Sequence, residues 1–117
     1  MKQFFAVLYG PGRRWVQGKT IFEQPLDGHI AYVKSLSDDG TVLMAGPFAD
    51  DDAGLTILQA DNLEEANLII AEDPDVREEV LRADVRCWRP FRLDVEALAF
   101  EQPPLRLARP VSASRTR

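Results

Sequence analysis

The chain carries one histidine, His29. A single imidazole is enough for general acid–base chemistry, because its ordinary pKa lies near the working pH. The candidate partner is Asp73, a carboxylate that would orient the ring and stabilise its cation. Both residues also have plain structural readings. Asp73 stands before Pro74, the pattern of an N-cap followed by proline at the first helical position. His29 lies three residues after Leu26 and four before Val33, on the border of an apolar helical stripe.

A second group of chemical residues falls in a stretch without periodicity, residues 10–24. Loops of roughly 12–15 residues or more are uncommon in small domains and often bind or cover a ligand. Arg13, Arg14 and Lys19 are expected to draw in an anionic substrate, and Trp15 or Phe22 to cover an apolar ring. The same stretch imitates a phosphate-binding loop from Gly12 to Gly18-Lys19-Thr20. Five residues separate its glycines where four are required, and no helix opens directly behind it. The run Asp50-Asp51-Asp52 lacks the alternating acids and terminal Glu of a calcium loop. The lone cysteine, Cys87, excludes an internal disulfide and a multi-thiolate metal site; its neighbours place it on a strand as a small core residue. No metal and no cofactor are expected. Cysteine usage makes the cytoplasm the default compartment.

Charge narrows the partners. Residues 1–91 carry a net charge of −7 and residues 92–117 one of +2. An acidic body repels phosphate backbones, so nucleic acid is not an expected partner. No apolar run approaches the roughly 20 residues of a membrane helix, and the apolar N-terminal run reads as a strand, not a signal peptide.

The elements that must position these residues follow from period and punctuation. Residues 3–9 read as a strand, 25–39 as a helix with the stripe Leu26, Ile30, Val33 and Leu36, and 41–47 and 54–60 as a hairpin. Asn62 caps a helix over 63–72 with Glu65 in a capping box. A short helix restarts at Pro74 and runs to about residue 81, and 83–91 form the last strand. The order is βαββαβ, a ferredoxin-like α+β fold with a four-stranded antiparallel sheet. Residues 1–91 make the domain; 92–117 form a C-terminal extension, with a short helix expected near 95–100 and a disordered end. In the first strand Phe4, Ala6 and Leu8 alternate with Phe5, Val7 and Tyr9, so both faces are apolar. In the second, Val42 and Met44 are expected on one face, Leu43 and Ala45 on the other. Two helices cover only one face of such a sheet, so the other is expected to meet a second copy of the chain.

An ordered set of segments carries a resemblance: His29-Ile30-Ala31-Tyr32-Val33, Gly40-Thr41-Val42-Leu43-Met44-Ala45-Gly46-Pro47-Phe48, Gly54-Leu55-Thr56-Ile57-Leu58, Asn62-Leu63-Glu64-Glu65-Ala66, Asp73-Pro74 and Val85-Arg86-Cys87-Trp88-Arg89-Pro90-Phe91. Over residues 1–91 this set resembles the YciI-like (YCII-related) family. The resemblance implies a ferredoxin-like domain that pairs as a dimeric α/β barrel. It also implies that a recurring His and Asp of the family, proposed as active-site residues, fall on His29 and Asp73. A relative in chloroaromatic breakdown is a dehydrochlorinase, and muconolactone isomerase shares the general fold. The expected function is a small cytoplasmic, cofactor-free enzyme of lyase, isomerase or hydrolase type. It would move a proton on a small organic acid or lactone. The alternative is a non-catalytic ligand-binding or accessory dimer module in which the pair is structural.

Overall fold

The computed structural model describes residues 1–92. Its strands are β1 (Gln3–Pro11), β2 (Val42–Pro47), β3 (Gly54–Ala60) and β4 (Leu81–Trp88), and its helices α1 (Asp27–Asp38), α2 (Leu63–Ala71) and α3 (Pro74–Arg77). The strands form one antiparallel sheet in the order β2-β3-β1-β4, the βαββαβ arrangement of a ferredoxin-like α+β fold. The expected features of residues 93–117 lie outside the described residues.

β1 runs through the middle of the sheet. Phe5 pairs with Leu58 and Cys87, Val7 with Thr56 and Val85, and Tyr9 with Gly54 and Ala83. Phe5, Val7, Tyr9 and Leu58 therefore share the face that the helices cover, and Ala66 and Ile70 of α2 close over it. Phe5, Val7 and Leu58 have no exposed surface. Burial of each such side chain stabilises the fold by about 1.5–3 kcal/mol relative to leaving it in water.

α1 departs from this pattern. Its stripe residues Ile30, Val33 and Leu36 are only half-buried, and no residue of the helix is fully buried. The helix stands off from β2 and leaves a groove. It also starts at Asp27, two residues later than its periodicity suggests, with Leu26 at the N-cap and no capping side chain of its own. A β-bulge between Val42 and Met44 corrects the expected faces of β2. Val42 and Ala45 lie opposite Leu58 and Thr56 on the helix side, while Met44 lies opposite Ile57 on the other.

The stretch after β1 is not a free lid. The Gly12 and Arg14 amides donate to the carbonyls of Val80 and Glu79. The Gln24 side chain accepts from the Val16 amide and donates to the Val16 and Lys19 carbonyls. Asp52 Oδ1 accepts from the Ile21 amide at 3.0 Å, so one of the three consecutive aspartates anchors this segment. A 3-10 turn, Ile21–Glu23, then leads into α1.

The opposite face of the sheet carries Phe4, Ala6 and Leu8 from β1, Leu55 and Ile57 from β3 and Met44 from β2. β4 adds Arg82, Asp84 and Arg86 there. No described helix is long and apolar enough to cross a membrane.

Candidate active site

Two carboxylates at the start of α3 hold one residue of α1. Asp73 is the N-cap of α3, and its Oδ1 accepts from the Asp75 amide at 2.9 Å. Its Oδ2 lies 2.5 Å from His29 Nδ1, across 44 positions of sequence. Asp73 is fully buried, and the His29 side chain is 17% exposed. A carboxylate only accepts, so facing one Nδ1 is the donor, and in the neutral ring with that tautomer Nε2 keeps its lone pair. The second carboxylate, Asp75, accepts the His29 backbone N–H on Oδ2 at 2.7 Å. It thereby satisfies a free amide in the first turn of α1 and places negative charge at the positive end of that helix. Burial pushes the Asp75 carboxyl above its ordinary pKa; the His29 N–H bond opposes that shift without cancelling it.

Gly28 makes this approach possible. A Cβ there would lie 3.1 Å from Pro74 Cβ, tighter than ordinary side-chain packing. The absent side chain lets the first turns of α1 and α3 meet. Tyr9 supports the imidazole from the sheet: the two ring centroids are 5.0 Å apart at 74°, an edge-on contact. Burial is the main reason that the Tyr9 phenol is pushed up to about 12, with the charge of Asp73 adding to it and the Thr56 hydroxyl opposing it. Tyr9 is therefore neutral throughout the physiological range. The Tyr32 hydroxyl donates to the Ile69 carbonyl at 2.6 Å and ties α1 to α2.

His29 lines a cavity of about 630 Å³, the groove between α1 and the β2–β3 side of the sheet. Ile21, Leu26, Ile30 and Val33 supply much of its apolar wall, and Tyr9 and Thr56 join His29 as polar neighbours. Lys34 also lines it, already paired with Asp38 at 3.2 Å on the exposed side of the helix. Chemically, the arrangement offers one proton acceptor, Nε2, oriented by a buried carboxylate and set beside a largely apolar space.

The structure does not bring Arg13, Arg14, Trp15 or Lys19 into that cavity. Arg13 pairs with Glu79, and Trp15 is 8% exposed within the core. The segment instead reaches the cavity through the apolar side chains of Ile21 and Leu26. Sequence reasoning also misses Asp75, Gly28 and Tyr9. A glycine in the first turn of a helix is unfavourable without a packing reason, and that is the one signal that pointed to a close approach. Among the described residues, no three His, Cys, Asp or Glu side chains cluster as a metal site.

A family model for the YCII-related domain matches residues 19–89, from the segment before α1 to the end of β4. No curated protein matches the chain. The matched segment spans more than half of the sequence and contains His29, Asp73 and Asp75. The chain belongs to the YCII-related domain family.

Proposed function

We propose that this protein is a cofactor-free proton-transfer enzyme acting on a small organic acid or lactone. The observation that carries the reading is the Asp73–His29 hydrogen bond at the wall of a largely apolar cavity. His29 Nε2 takes a proton from the carbon next to a carbonyl. The C–H electron pair becomes a C=C bond, and the carbonyl π pair moves to oxygen. Asp73 stabilises the imidazolium until the proton is returned or a leaving group departs. This chemistry serves isomerases, lyases and some hydrolases alike. Cys87, expected as a small core residue, is instead a free and exposed thiol near the end of β4, and such a thiol fits a reducing compartment such as the cytoplasm. A homodimer built on the open sheet face is part of the same reading.

The test is deuterium uptake. The protein is incubated in D₂O with a panel of small lactones and organic acids, and the hydrogens next to the carbonyl are followed by NMR. Exchange that disappears in His29→Gln, with the fold retained, supports the proposal. Equal exchange in both proteins removes it.

One observation favours the accessory-module reading: Asp73 already serves the fold as the cap of α3. A ligand that binds in the cavity without any His29-dependent exchange would favour that reading.

A further inference from the structure

Tyr9 holds a polar atom that the fold leaves without a partner. The residue is 4% exposed, and among the described residues its hydroxyl has no partner in full hydrogen-bond geometry. The Thr56 hydroxyl on the neighbouring strand acts on the phenol as a weak hydrogen-bonding neighbour and lowers its pKa somewhat, but the two hydroxyls fall short of a well-formed bond. A buried O–H stripped of water and given nothing in return is unfavourable, and folded proteins keep few of them. Phenylalanine would fill the same space without that cost. Here the orphan hydroxyl belongs to a ring that lines the cavity and touches His29 edge-on.

We propose that the cavity takes a small, uncharged, largely apolar molecule bearing a carbonyl oxygen, and that Tyr9 Oη donates a hydrogen bond to that oxygen. The inference deepens the proton-transfer reading of His29 and rests on it for the role of the bound oxygen. Much of the wall is apolar: Ile21, Leu26, Ile30, Val33, Val42 and Leu81. Its lysine, Lys34, is exposed and engaged by Asp38. Asp73 and Asp75 stand behind His29, so an anion would meet two carboxylates and no free cation on this wall. A phenol that stays protonated is a donor at every working pH, which suits a carbonyl acceptor. As Nε2 removes the neighbouring proton, charge grows on the carbonyl oxygen, and the Tyr9 O–H meets it there while keeping its own proton. Binding requires a small turn of the phenol, since Oη itself is out of contact with solvent.

Three probes of similar size test this: coumarin, a neutral lactone; 2-hydroxycinnamate, its ring-opened carboxylate; and naphthalene, which has no oxygen. Each is titrated by fluorescence into the intact chain and into Tyr9→Phe. The expected result is tighter binding of coumarin than of the carboxylate. Tyr9→Phe loses about tenfold for coumarin, the scale of one neutral hydrogen bond, and binds naphthalene as before. The melting temperature of Tyr9→Phe should hold or rise, because an unsatisfied group is removed. Tighter binding of the carboxylate, no binding of coumarin, equal losses for coumarin and naphthalene, or no loss at all would each overturn the proposal. So would a fall in melting temperature, which would mean that the hydroxyl is satisfied in the fold. His29-dependent deuterium exchange together with unchanged coumarin affinity in Tyr9→Phe removes this inference alone. Tyr9-dependent coumarin binding without such exchange removes the proton-transfer reading alone.

Discussion

Asp73 divides its two oxygens between a structural and a chemical partner, and substitutions can separate the two. Asp73→Asn retains an oxygen to cap α3 but turns an amide N–H toward His29 Nδ1. The imidazole then carries its proton on Nε2 and is no longer a base at the cavity. We expect deuterium exchange to fall by at least about 100-fold, with stability within about 1 kcal/mol of the parent. Asp73→Ala should lose the cap as well, about 1 kcal/mol further by urea denaturation. Asp75 gives a pH signature. Its carboxyl is raised above its ordinary value of 3.8, so the fold favours the protonated form. Its contribution to stability is therefore present below that value and declines as pH rises through the raised one. Asp75→Asn, which keeps an acceptor for the His29 N–H, should lack this decline. Urea midpoints of the two proteins across acidic pH check the sign. The candidate pair itself was legible from residue types, since an Asp before Pro74 and a lone His leave few partners. Asp75 and Tyr9 were not, because what matters about them is burial and a contact from another element.

At the level of elements, α3 ends in a tight cap that carries an unusual residue. The Val80 amide donates to the Asp75 carbonyl and the Glu79 amide to that of Val76, the Schellman arrangement. Glu79 takes the left-handed position at φ 62°, where glycine is usual. Its side chain pairs with Arg13, but both groups are well exposed, so the pair contributes little. Glu79→Gly is expected to be neutral or to stabilise by up to about 1 kcal/mol, read as a higher melting temperature. Gly12 faces the same turn with no such freedom. A Cβ there would lie 2.2 Å from the Glu79 carbonyl oxygen, backbone that cannot swing aside. Gly12→Ala should detach the 12–14 segment from the turn at residues 79–80 and lower stability by several kcal/mol. β3 matches its expected limits because turn residues bound it on both sides. The start of α1 does not, because its cap comes from Asp75, 46 positions away from the amide it satisfies. The stretch 10–24 has no period to read. Its order comes from Gln24, Asp52 and the backbone of residues 79–80, contacts that no local pattern encodes.

Considered whole, the molecule is closed on one side of its sheet and open on the other. Leu8 and Met44 are more than one-third exposed on the open face, among Phe4, Ala6, Leu55 and Ile57. We predict a homodimer across this face, sedimenting at twice the 13.2 kDa chain mass at micromolar concentration. Leu8→Lys should shift it to monomer while leaving His29 and Asp73 paired, since both lie on the helix side. A parent protein that sediments as a monomer would remove the prediction. Apolar residues on both faces of β1 made this face legible in the sequence; the bulge in β2, which turns Met44 toward it, did not show there. The central place of β1 has one more consequence, for the nascent chain. Within this sheet, the strand synthesised earliest needs β4 to complete its pairing, Phe4 lying opposite Trp88. The stretch from Ala60 to Trp88 takes on the order of 1–6 s to synthesise at ~5–20 residues per second. During that interval β1 has one unpaired edge beside Phe5 and Val7, so holding chaperones should engage the chain between completion of β3 and emergence of β4.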